Sequence, residues 1–158
     1  MALVTPLLLV LMFGSFEVGK YFYDEHKLVK SVRDGARYAA RQRFTNFSAC
    51  TGDVVGPVYT ETKMIVRKGS LNANDPDLLP NWDNAGTIFT VKMNCRTTLT
   101  DGSGNYVASG IYAGMAGGAP SVTVTVKLPY KPVIGSAFGF SGLNYSLNAS
   151  QNAAVGGL

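Results

Sequence analysis

The sequence predicts an α+β fold: one long N-terminal helix, hydrophobic at its head and amphipathic along its tail, followed by an antiparallel β-sheet domain. Three observations predict it. Residues 1–16 (MALVTPLLLVLMFGSF) carry no charge. Residues 17–44 are dense in charges of both signs, yet their apolar positions keep helical spacing. Beyond residue 52 the chain turns to Val, Ile, Thr and Tyr, broken by clusters of Gly, Asn, Asp and Pro. The division that follows is a helix over 1–48, with an apolar part over 1–23 and an amphipathic part over 24–48, and a β-rich globular part over 49–158.

The sixteen uncharged residues reach only about 24 Å as a helix, short of the roughly 20 residues that cross a bilayer core. The run is completed if Glu17 and Lys20, one turn apart, form a buried charge pair and Tyr21, Phe22 and Tyr23 occupy the interfacial belt. Met1 to Tyr23 is then a candidate span. A secretory signal peptide would need a basic segment before the apolar run and a small-residue cleavage site after it. Neither pattern is present, so the run is expected to belong to the working molecule.

Past Tyr23 the positions Leu28, Val32, Gly35, Ala36, Ala39 and Ala40 recur in steps of three and four and form one packing face. Its small residues suit close approach to a neighbouring helix or a sheet, either in another subunit or in the chain's own domain. Arg33, Arg37 and Arg41 form a second stripe, with Asp34 beside it. Helix-breaking signals near Thr45, Asn46, Ser48 and Gly52 are expected to end the helix between Phe44 and Ala49.

Four segments then read as strands: Val54–Lys68, Thr87–Thr100, Tyr106–Ala113 and Ser121–Tyr130. The clearest alternates Val122, Val124, Val126 and Leu128 with Thr123, Thr125 and Lys127, the period of a strand with one wet face. Residues 69–84, 101–105 and 114–120 read as loops, and the strands are expected to pack on the lower half of the helix.

Composition is that of a globular protein with an apolar appendage: 46% hydrophobic, 15% charged, 18 Gly, formal net charge +4. Residues 17–44 hold seven bases against four acids, while the rest holds seven against six. The main domain is thus nearly neutral, which excludes a basic nucleic-acid-binding domain. No nucleophile elbow, phosphate-binding glycine loop or zinc spacing occurs, and the single histidine, His26, sits on the helix between Glu25 and Lys27. No catalytic residue, metal ligand set or cofactor is therefore assigned. Asp101 to Asn105 (DGSGN) reads as a hairpin turn; the loop carrying Asn72, Asn74, Asp75, Asp77 and Asp83 has oxygens that could hold a cation, but no metal site is assigned to it. Asn46, Asn144 and Asn148 each begin an Asn-x-Ser sequence. Cys50 and Cys95, the only cysteines, are expected to pair in an exported protein and tie the end of the helix to the sheet.

The segment from Ala2 to Leu9 (ALVTPLLL), Gly14, Glu17 and Gly19, the aromatic run and Arg33-Asp34-Gly35-Ala36-Arg37 together resemble the TadE-like pilin or pseudopilin proteins of tight-adherence (Flp) pilus systems. Val122 to Pro132 is similar to that family's closing strand and Pro-aromatic turn. The resemblance covers about forty N-terminal residues and a dozen near the C-terminus. It implies a non-enzymatic pilus subunit that is cleaved by a prepilin peptidase, held in the bacterial inner membrane, and then extracted by an assembly motor into an extracellular filament serving surface attachment. Leu3, Val4, Pro6, Leu7, Leu8, Val10, Leu11 and Phe13 would line the membrane segment and then the filament core. Arg33, Asp34, Arg37 and Arg41 would make charge contacts between copies of the chain. The rival readings are a minor, membrane-held pseudopilin that primes or tips the filament and a single-span anchored periplasmic binding module.

Overall fold

The computed structural model describes residues 4–47, 52–96, 103, 110–112, 118–133 and 145–156. Its first element is the expected helix, α1 (Val4–Ala40). The buried positions of its second half are Asp24, Leu28, Ser31, Val32, Gly35, Ala36, Ala39 and Ala40, the three-and-four spacing read from the sequence. The helix ends earlier than expected. Arg41 and Gln42 donate to carbonyls only three residues back, Tyr38 and Ala39, and the tightened turn passes into a short 3-10 turn at Phe44–Asn46.

The second helix, α2 (Pro57–Lys68), replaces the strand expected over Val54–Lys68. Pro57 sits in its first turn, where a missing N–H costs nothing. Gly69 ends it at φ 78°, donating its N–H to the Ile65 carbonyl at 2.8 Å. Among the described residues, β1 (Gly52–Asp53) is the strand that precedes it.

Three longer strands complete the sheet: β2 (Ile88–Arg96), β3 (Ala119–Pro129) and β4 (Ser146–Ala154). The order is β1-β2-β3-β4 with every neighbouring pair antiparallel. Val91 faces Val124, Met93 faces Val122 and Leu128 faces Leu147, so the register sets the apolar alternates on one face. That face is buried under α1, which also runs beside α2. The other face is wet and hydroxyl-rich: Thr125 and Ser150 share a hydrogen bond of 2.9 Å, and Asn152 Nδ2 donates to Thr123 Oγ1 at 2.8 Å.

β4 was not expected from the sequence. Of the segment expected as a strand over Tyr106–Ala113, residues 110–112 form a 3-10 turn and the rest lie outside the described residues. The expected hairpin turn at 101–105 also lies outside them, apart from Ser103. In the 69–87 loop two of the acidic side chains, Asp77 and Asp83, are engaged by Arg67. Arg67 Nε and Nη2 donate to Asp77 at 2.7 Å each, and Nη1 and Nη2 donate to Asp83 at 2.8 Å. A guanidinium thus occupies the place where a metal ion was considered, and its planar fork serves both carboxylates. The loop is also pinned from below by the buried Leu79 and Trp82.

Candidate functional site

The head of α1 projects from the fold with its apolar side chains bare. Leu7, Leu8, Val10 and Leu11 are 59–64 % exposed, Val4 and Pro6 are exposed, and Phe13 is half-buried; Leu3 lies outside the described residues. A contiguous run of exposed apolar side chains marks a contact with lipid or protein. Among the described residues, α1 is the one helix long and apolar enough to cross a membrane, and none of its most apolar stretch is buried.

Where the head meets the sheet domain, the charged groups find partners different from those the sequence suggested. Glu17 was expected to pair with Lys20. Lys20 Nζ instead contacts the Asp24 carboxylate one turn further on, and that carboxylate is almost fully buried. Glu17 Oε1 accepts a hydrogen bond from Tyr130 Oη at 2.6 Å and one from the Val133 N–H at 3.2 Å. The reason is geometric. The side of α1 carrying Glu17, Tyr21, Asp24 and Leu28 is the side the domain covers, so Glu17 meets the end of β3 and not only its own helix.

Aromatic packing reinforces this junction. Tyr21 and Tyr130 stack edge to face with centroids 5.2 Å apart, and Tyr21 Oη donates weakly to the Ser146 carbonyl at 3.4 Å. Burial pushes the Tyr130 phenol well above the usual tyrosine range, and its hydrogen bond to Glu17 pushes it further. Ionising it would place a second anion against the carboxylate. The tyrosine therefore stays a neutral donor and holds the helix to the sheet.

The small-residue face of α1 is spent inside the chain. Leu28, Val32, Ala36 and Ala39 are at most 1 % exposed, and Gly35 and Ala40 are buried with them. At Gly35 the approach to α2 is so close that a Cβ would stand 2.3 Å from Val66 Cγ2. Of the two destinations the sequence left open for this face, the structure shows the chain's own domain. Arg33, Asp34, Arg37 and Arg41 lie on the opposite side and are exposed. The sequence foresaw that side as a charged stripe; it carries one loose intrahelical ion pair, Arg37 to Asp34 at 3.9 Å.

Tyr130, Asp24 and Arg67 are the functional-looking residues that sequence reasoning missed. Tyr130 was placed at a strand end and given no partner, because the contact with Glu17 spans 113 positions. Asp24 carried a signal: an acid four residues after Lys20 on one helix. Elsewhere, an open cleft of about 290 Å3 lies between β1, α2 and β2, walled by Val54, Tyr59 and Phe89. Its rings pack edge to face at 5.3 Å, and Asp53 is the one carboxylate on its lining. Cys95 is half-buried in β2, and Cys50 lies outside the described residues.

The family model described as TadE-like protein matches residues 1–37, which is the apolar head of α1, the Glu17 junction and most of the buried stripe. No curated protein matches the chain. No solved structure matches it either.

Proposed function

We propose that this chain, a TadE-like protein over its first 37 residues, is a structural subunit of a tight-adherence pilus system. The observation that carries the reading is the bare apolar head of α1 standing out from a domain that has already buried its own packing face. Such a head has two natural solvents, lipid and other copies of itself. Before assembly it sits in the bacterial inner membrane; prepilin peptidase and the assembly motor then deliver it to an extracellular filament used in surface attachment. Leu3, Val4, Pro6, Leu7, Leu8, Val10, Leu11 and Phe13 pack in the filament core, and the polar outer face of the sheet looks outward. Arg33, Asp34, Arg37 and Arg41 meet charged groups of neighbouring copies. The role is structural, without catalysis or cofactor.

Cys50 and Cys95 close a disulfide in this reading. The β1–β2 register pairs Gly52 with Met93 and Asp53 with Lys92, so the strand that carries Cys95 runs beside β1. Mass spectrometry of the unreduced, digested protein checks the pairing.

The deciding experiment is electron microscopy of sheared surface material. The chain repeating along filaments is the expected result, and recovery only as a membrane-held monomer would sink it. Leu7→Asp and Leu8→Asp are expected to abolish filaments while the sheet domain stays folded. A second reading, a minor subunit that stays in the membrane, is favoured by the same internal use of the small-residue face. Labelling confined to filament tips or to the membrane would select it.

A further inference from the structure

Several parts of the chain end at one level of α1. Glu17 is the first ionisable side chain along the helix from its head, and Tyr21, Phe22 and Tyr23 follow as interfacial types, so the edge of a bilayer crossed by that head falls within Glu17 to Tyr23. At this same level the hydrogen bonds of Glu17 hold Tyr130 and Val133, and the Tyr130 N–H donates to the Tyr145 carbonyl at 2.9 Å. The end of the sheet domain where β3 leaves and β4 begins is thereby fixed beside the boundary between lipid and water.

What that end exposes is amphipathic. Val133 and Tyr145 on the domain, and Phe22 and Tyr23 on the uncovered side of α1, are 53–65 % exposed. The lysines in these stretches of chain are Lys20, with its side chain 41 % exposed beside Asp24, and the exposed Lys131. Aromatic side chains with a polar tip and lysines with a long stem are the residue types that settle at the headgroup level of a bilayer.

We propose that this end of the domain is a second membrane contact: Phe22, Tyr23, Val133 and Tyr145, with the Lys20 and Lys131 ammonium groups, form a collar seated in the headgroup layer around the emerging helix. The inference rests on the reading that the head of α1 spans the membrane, and adds that the folded domain lies on the bilayer instead of standing clear of it. Release of the collar is then a step that extraction of the subunit has to include.

The test uses the full chain reconstituted in vesicles of phosphatidylcholine and phosphatidylglycerol, with Tyr145→Trp as reporter in a Trp82→Phe background. Lys92→Trp in the same background is the control, since its side chain is 63 % exposed on the outer sheet face. Trp at 145 is expected to be quenched by lipids brominated near the headgroup and to be several-fold less quenched by aqueous iodide than Trp at 92. Val133→Trp is expected to behave like the Tyr145 variant, and far-ultraviolet circular dichroism checks that each variant is folded. Flotation with the vesicles together with full iodide access at 145 would overturn the collar and leave the spanning helix standing. Failure to float overturns both. Shielding from iodide without quenching by brominated lipid would mean that another protein surface covers the patch, and would overturn it as well.

Discussion

Gly35 of α1 faces Val66 of α2 at a distance that leaves no room for a β-carbon, 2.3 Å from the position a Cβ would take to Val66 Cγ2. Val66 is fully buried and β-branched, so it cannot swing away cheaply. Alanine is the better helix former by about 1 kcal/mol, but overpacking typically costs about 1–3 kcal/mol. Gly35→Ala is therefore expected to destabilise the domain by up to about 2 kcal/mol. Urea unfolding followed by Trp82 fluorescence measures it, and Val66→Ala placed with Gly35→Ala should cost less than the two singly. An additive result would mean that the two helices separate freely at this point.

That close crossing shows why only part of the fold was legible in the sequence. The second half of α1 and strand β3 announce themselves, because each has an unbroken period over several turns or pleats, Leu28 to Ala40 and Val122 to Leu128. The α2 segment was misread because its Val, Ile, Thr and Tyr content outweighed its punctuation. Yet Gly56-Pro57 at the start, Gly69 at the stop, and the buried Val58, Thr62 and Val66 at steps of four were a helix signature in plain view. β4 had almost none: Ser146 to Ala154 is mostly small and amide side chains, and it is a strand because β3 offers it a ladder. The Glu17 junction was invisible for another reason, since both partners are ordinary in their local sequence and only the tertiary fold brings them together.

Tyr130→Phe removes the hydroxyl that donates to Glu17 and leaves that carboxylate with one fewer donor in a partly buried junction. Hydrogen bonds to charged groups are worth about 1.5–3 kcal/mol, so a loss of about that size is expected. Thermal unfolding in detergent measures it. An unchanged midpoint would mean that water replaces the phenol without cost and that the Tyr21–Tyr130 ring contact alone holds the junction.

The same pair sets an alkaline dependence. The Tyr130 phenol is raised in the fold above the ordinary value of 10.0, so its contribution is complete below that pH and is lost as pH climbs above it, where the unfolded chain ionises first. Tyr38, hydrogen-bonded to Glu61 at 2.7 Å, is raised too and adds to the slope. Stability is expected to fall above about pH 10, less steeply in Tyr130→Phe, in unfolding measured at several alkaline pH values. Identical slopes in the two proteins would locate the effect elsewhere.

Arg67 makes the opposite prediction at the acid end. Its guanidinium holds the Asp77 and Asp83 carboxyls below the ordinary value of 3.8, so their stabilising share is present above that pH and disappears as pH falls below it. Arg67→Ala should flatten this acid limb. It should also loosen the 69–87 loop and hasten proteolytic nicking there, since the planar fork of Arg67 ties Asp77 and Asp83 together. Equal rates of nicking in the two proteins would show that Leu79 and Trp82 suffice to pin the loop.

Arg37→Glu separates folding from assembly. The side chain is exposed, and its ion pair with Asp34, at 3.9 Å and one turn away, is worth at most about 1 kcal/mol to the isolated chain. Reversal also places an acid in the last turn of α1, an unfavourable change of a few tenths of a kcal/mol. The monomer should therefore unfold almost as the parent does. If the Arg33, Arg37 and Arg41 stripe faces acidic groups on neighbouring copies, one reversed charge is repeated at every subunit contact along a filament, and filament yield in sheared material should collapse while membrane-held protein accumulates. Wild-type yield from a normally folded Arg37→Glu chain would remove this stripe from the subunit interface and leave the apolar head of α1 as the sole contact proposed between copies.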